Sequence, residues 1–166
     1  MKKTGILLFG FILLNISVYC QEYEYLEKVV LKVDSDYKKN EKTILDCMDY
    51  LTINAVDQGQ NNRVYCNRFI YRYGTGTPYV SITIDSYVTK LFKKNESILS
   101  MYMGYWLKSA IQNKDKDNNF HEEYTVTEIY KYAKAGKGIL KTKIIESLLE
   151  YGDKSQIKEW IKLQKK

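Results

Sequence analysis

His121, Glu122 and Glu123 set an imidazole beside two carboxylates, the side chains of metal sites and of acid–base catalysis. A zinc-protease pattern needs two His one helical turn apart, so that both face the metal. His121 is the one His of the chain, so that pattern is excluded. The three residues then read as the polar start of a helix, with acids set against its dipole. Asp115-Lys116-Asp117-Asn118-Asn119 opens like a calcium loop. The sixth position, where Gly must turn the chain, is Phe120, and the twelfth, where a bidentate Glu belongs, is Val126. The segment reads as a polar interhelical loop. No metal or cofactor is expected from these residues.

Gly74-Thr75-Gly76-Thr77 has the glycines of a phosphate cradle but not its setting. Such loops follow a strand, open a helix and carry Gly-Lys-Ser/Thr. This one follows a helical pattern and runs into Pro78, which makes it a helix stop and turn. A Cys–His pair would need Cys47 or Cys66 to meet His121 in space. Both cysteines lie near apolar stripes, which favours burial over reactivity. Two readings stay open for them: a Cys47–Cys66 disulfide, or two buried thiols packing as small hydrophobes. Carboxylate chemistry has no signature either, because no two acids are singled out.

Tyrosine is the compositional anomaly, with sixteen copies. Its apolar ring and polar tip suit interfaces. Tyr71, Tyr73 and Tyr79 flank the Gly-Thr-Gly-Thr-Pro turn, and Tyr102, Tyr105 and Trp106 crowd around Gly104. A Gly inside a helix costs about 1 kcal/mol relative to Ala. It is kept where another backbone or a ligand comes close, so ordinary helix packing and a ligand groove are both open here.

The elements that must position these residues are nearly all helical by pattern. Leu26, Val29, Val30 and Val33 sit at helical spacing, as do Ile44, Met48 and Leu51. Val64, Phe69, Ile70 and Tyr73 suggest a third helix, and Ile98 to Ile111 carries the densest stripe. Val126 to Ala133, Ile144 to Leu149 and Ile157 to Ile161 supply three more. Thr125 with Glu128, and Asp153 with Gln156, have the spacing of capping boxes. Gly74, Gly136 and Gly152 stand where helices should end. Val80, Ile82 and Ile84 alternate with polar residues, but no second alternating segment could pair with them. They are expected to form an extended connector or a helix start. The fold class is all-α: a single compact multi-helix domain of about six or seven helices.

That domain is expected over residues 21–166. Residues 1–20 have a basic start at Lys2-Lys3, the apolar run Gly5 to Leu14 and a cleavage-like Val18-Tyr19-Cys20. This is the pattern of a secretory signal peptide, too short in its apolar part for a membrane span. Cys20 leaves two outcomes, cleavage after it or lipidation on it. Bulky Tyr19 before it favours cleavage, with Gln21 as the new N-terminus. The composition, 45% hydrophobic and 28% charged with one Pro, argues against disorder. Residues 131–166 hold ten Lys and four acids, whereas residues 21–130 hold fourteen Lys and Arg and sixteen acids. The Lys-rich C-terminal third could touch an anionic membrane weakly. Lysines on solvated helix faces are the plainer reading, and no nucleic-acid partner is expected.

Residues 63–106 resemble a family of small exported helical proteins of Bacteroidota. The residues that carry this are Arg63, Asn67, Phe69, the turn Gly76-Thr77-Pro78, Val80, Ile82, Met103-Gly104 and Trp106. The likeness departs at Tyr105, where a second Gly is expected. It implies an exported location and a helical fold, and no activity. The candidate ligand-binding residues are Arg63, Asn67, Thr77, Tyr102, Tyr105 and Trp106. The expected role is a non-enzymatic envelope protein, periplasmic or secreted, that binds a partner or ligand. A small envelope hydrolase using carboxylates is the alternative.

Overall fold

The computed structural model describes residues 23–166; the signal peptide expected over residues 1–20, Cys20 included, lies outside them. A 3-10 helix, Tyr23–Lys28, precedes α1 (Asp34–Lys39), α2 (Glu41–Ile53), α3 (Gln60–Gly76) and α4 (Ser86–Phe92). Then come α5 (Ser97–Gln112), α6 (Asn118–Lys134), α7 (Lys143–Asp153) and α8 (Ile157–Gln164). The described residues form a single compact all-α domain without strands.

The densest stripe becomes the central helix. Every residue from Met101 to Leu107 is buried, so α5 has no solvent face over two turns. A helix apolar all round has to be surrounded, and α2, α3, α4 and α6 pack on α5. Gly104 is where α5 is approached most closely: a Cβ there would run into the Met48 thioether and lie 3.2 Å from Ile70 Cδ1. Helix packing, not a ligand, occupies that notch. The one-sided helices α7 and α8 lie against α6 and each other. They close one side of the domain with Trp160 edge-on to Tyr87, ring centroids 5.5 Å apart.

Several expectations are corrected. The stripe Leu26 to Val33 is not one helix. Arg72 donates to the carbonyls of Leu26 and Val29, at 3.2 and 2.6 Å, and the Asp36 carboxylate accepts from the amides of Lys32 and Val33. These bonds compete with a helical ladder, and Val30 and Val33 are left exposed. Gly74 does not end α3, which runs on to Gly76. Thr125 is not a cap: it lies inside α6 and donates to the carbonyl of His121 at 2.7 Å. Asp117 caps that helix by accepting from the amide of Phe120 at 2.9 Å. Asp153 closes α7 rather than opening α8, and binds Tyr130 and Lys134. Residues 80–84 form the extended connector, with Val80 and Ile82 packed on the core.

The tyrosines are explained from the inside. Tyr23, Tyr37, Tyr73, Tyr102 and Tyr132 are buried. Their hydroxyls donate to the carbonyls of Asp46, Leu31, Tyr37, Thr83 and Asn54 respectively. Each ring fills core while its tip meets a backbone carbonyl, in four cases one of a loop or a helix end and for Tyr23 one within α2.

Candidate ligand-binding site

Arg63 stands on the buried stripe of α3, in helical register with Cys66, Ile70 and Tyr73. A charge at that position must be compensated. Its Nη2 donates to the carbonyls of Asn54 and Ala55, at 2.8 and 3.0 Å, where the chain leaves α2. The negative end of the α2 dipole is thereby met by a cation. Tyr132 supports the same corner by donating to the Asn54 carbonyl at 2.8 Å. Lys137 donates to the carbonyls of Thr52 and Ile53 at 2.5 and 3.0 Å.

That network uses one nitrogen of the guanidinium. Arg63 is 3% exposed, and its Nε and Nη1 have no hydrogen-bond partner among the described residues. No carboxylate among the described residues forms an ion pair with it. Asn67, one turn further along α3, has a buried Oδ1 that is equally unpartnered. Both residues line a groove of about 680 Å³, within the size range of small-molecule sites.

Three loops and a helix start build its other walls. The α6–α7 loop is stitched to the α2–α3 loop by the Val56 amide, which donates to the Lys137 carbonyl at 3.0 Å. Gly138 follows at φ +84°, and a Cβ there would be 3.3 Å from Val56 Cβ. Asn95, between α4 and α5, clamps the same loop from the other side. Its Oδ1 accepts from the Leu140 amide at 2.7 Å and its Nδ2 donates to the Leu140 carbonyl at 3.1 Å. Exposed Lys93 and Lys94, the acids Asp57 and Glu96, and the hydroxyl residues Ser97 and Ser100 also face the groove.

The other sequence candidates do not join this site. Thr77 follows α3 and takes the Tyr79 amide on its Oγ1 at 3.3 Å. Fourteen residues of helix separate it from Arg63, about 21 Å along the axis. Tyr102, Tyr105 and Trp106 are core residues of at most 1% exposure. Tyr105 bonds to Thr52 Oγ1 at 3.0 Å, and Trp106 lies between Tyr102 and His121. Burial raises the phenol pKa of Tyr102 and Tyr105 and keeps both neutral. Cys47 and Cys66 are free, fully buried thiols. Hydrogen bonding to Cys66, then burial, pushes the Cys47 thiol up.

Two further grooves contain partnered groups. One, of about 300 Å³, reaches His121. Its Nδ1 sits 2.9 Å from the hydroxyl of fully buried Ser109. The other, of about 460 Å³, lies between α6 and α8. Its Glu122 accepts from Tyr87 and from Lys165, each at 2.7 Å, and Lys165 also pairs with Asp85 at 2.9 Å. Among the described residues no three His, Cys, Asp or Glu side chains are grouped to hold a metal ion, and no helix is long and apolar enough to cross a membrane.

Residues 93–100 and 138–140 carry no motif, so nothing in the sequence points to these walls. The legible signal was Arg63, a charge on a stripe otherwise apolar. Family models, curated proteins and solved structures give no match to this chain. The resemblance over residues 63–106 therefore rests on its residues alone.

Proposed function

We propose that this chain is an exported, non-enzymatic binding protein, and that a small ligand seats in the groove between α3, the start of α5 and the α6–α7 loop. One observation carries this reading: Arg63 and Asn67 line an open groove, and both carry buried polar atoms without partners among the described residues. Buried polar groups are ordinarily satisfied, and those that are not call for a water, an ion or a ligand. His121 is engaged with Ser109, and Glu122 with Tyr87 and Lys165, away from this groove. Export is supported by the basic, apolar and cleavage-like order of residues 1–20.

Native mass spectrometry of the protein recovered from its own host tests both parts. The expected result is an added mass in the native spectrum that vanishes on denaturation and is lost in Asn67→Leu. A denatured mass that begins at Gln21 would support export; the full 19.6 kDa chain would count against it. A bare polypeptide that also shows no groove-localised NMR shifts with extract of the host envelope would overturn the binding reading.

A further inference from the structure

We infer that the groove beside α3 takes a single oxyanion, a carboxylate or phosphate group carried by a small molecule; this rests on the binding reading above. The first ground is charge. Arg63 brings a guanidinium cation, is 3% exposed, and has Nε and Nη1 without partners among the described residues. Its contacts through Nη2 are to neutral carbonyls and to the Tyr132 hydroxyl, so the positive charge is not cancelled by an adjacent carboxylate. A buried cation behind one wall, in a region of low dielectric, favours an anion in front of it.

The second ground is the donor set around that charge. Ser97 is the first residue of α5, whose N-terminal end carries partial positive charge. The hydroxyls of Ser97 and Ser100 make no hydrogen bond to another described residue and can donate. The Asn67 side chain, on the same wall, carries an amide NH₂ donor. Lys93 and Lys94 are exposed, form no ion pair among the described residues, and stand on the same groove. Helix end, hydroxyls, amide and cations are the means by which proteins hold oxyanions.

The acids set the limit. Asp57 and Glu96 also line the groove. Three cations against two acids leave room for one anionic group and oppose a polyanion. The ligand is thus a small molecule with one anionic head, its body lying along Val56, Val64 and Leu140.

The test is a pair of ¹H–¹⁵N NMR titrations of the protein as recovered, one with inorganic phosphate and one with acetate. Each is referenced to sodium chloride at equal ionic strength. Saturable shifts are expected at the amides of Asn67, Ser97 and Leu140 and at the Arg63 Nε–H. Saturation with one probe and not the other identifies which oxyanion is taken. Lys93→Gln with Lys94→Gln, both exposed and remote from the core, should weaken the anion by about tenfold. Shifts no larger than those of chloride, or shifts scattered over outlying lysines such as Lys158 and Lys162, would overturn the inference. If an uncharged compound were found in the native spectrum, bound at Asn67 and indifferent to both anions, the oxyanion would fail and the binding reading would stand. Loss of both signals would remove the two together.

Discussion

The carbonyl of Asn54 accepts from Nη2 of Arg63 at 2.8 Å, so a side chain from α3 closes the end of α2. The same nitrogen reaches the Ala55 carbonyl at 3.0 Å. Replacing Arg63 by Met keeps the bulk of the stem and deletes these bonds. Loss of a charged hydrogen bond costs about 1.5–3 kcal/mol, and Arg63→Met is expected to destabilise the fold by that amount. Arg63→Lys should recover part of it, since the charge remains near the helix end. Urea denaturation checks this through the midpoint at constant slope. A Met variant as stable as the parent would show that the capping bonds do no more than offset the cost of burying the guanidinium.

His121 ties stability to mild acid. Burial holds its imidazole below the ordinary value of 6.5, against the smaller opposing effects of a hydrogen bond to the Lys116 backbone and the Asp117 charge. The unfolded chain therefore takes up a proton before the folded one does. Stability is full above about pH 6.5 and declines as pH falls from there to the folded pKa. Asp36, Asp115, Asp117 and Asp153 are also depressed, by hydrogen bonds and by lysines. As carboxylates they act in a lower window, beginning near about pH 4. The single imidazole gives one C2–H resonance to titrate. His121→Gln should flatten the stability profile below the ordinary His pKa, about 6.5. An imidazole titrating at or above that value would refute this.

Gly104 tests whether its notch is filled by packing alone. Alanine gains about 1 kcal/mol of helix propensity there, but its Cβ meets the flexible thioether of Met48. Gly104→Ala should stay within about 1 kcal/mol of the parent, and Gly104→Leu should cost about 1–3 kcal/mol by overpacking. Met48→Ala opens the space on the α2 side. In that background the Leu substitution should cost less, as a double-mutant cycle would measure. An unchanged cost would place the obstruction elsewhere.

Much of the fold was legible because the periodicity survived without long-range help. The stripes at Ile44, Phe69, Ile98, Val126, Ile144 and Ile157 all lie within observed helices. Two of the failures come from side chains that capture backbone carbonyls. Arg72 reaches back to Leu26 and Val29, across more than forty residues, and no local pattern announces it. Thr125 has the spacing of a cap, but its hydroxyl bonds back within a helix already begun at Asn118. Tyr102, Tyr105 and Trp106 look like a binding surface by residue type. Their register on a helix buried all round puts them in the core instead. Arg63 and Asn67 do share the groove, whereas its opposite walls exist only once three loops have met.

Asn95 is the residue on which that meeting depends most directly. Its amide takes both the N–H and the C=O of Leu140, forty-five residues away, so one side chain fixes the α6–α7 loop against the start of α5. Asn95→Ala deletes both bonds and leaves two backbone groups to find water. The expected loss is about 1–2 kcal/mol, since each neutral hydrogen bond contributes roughly 1 kcal/mol net. Its location should be more telling than its size. Amides from Gly138 to Leu140 should exchange hydrogen faster, while those of Met101 to Leu107 in the buried helix should change only by the global loss. Affinity at the groove should fall with it, because the wall around Gly138 and Leu140 would no longer be held. Unaltered exchange at Leu140 would mean that the Val56–Lys137 contact on the other flank suffices to hold the loop. Asn95 would then be a bystander to the site.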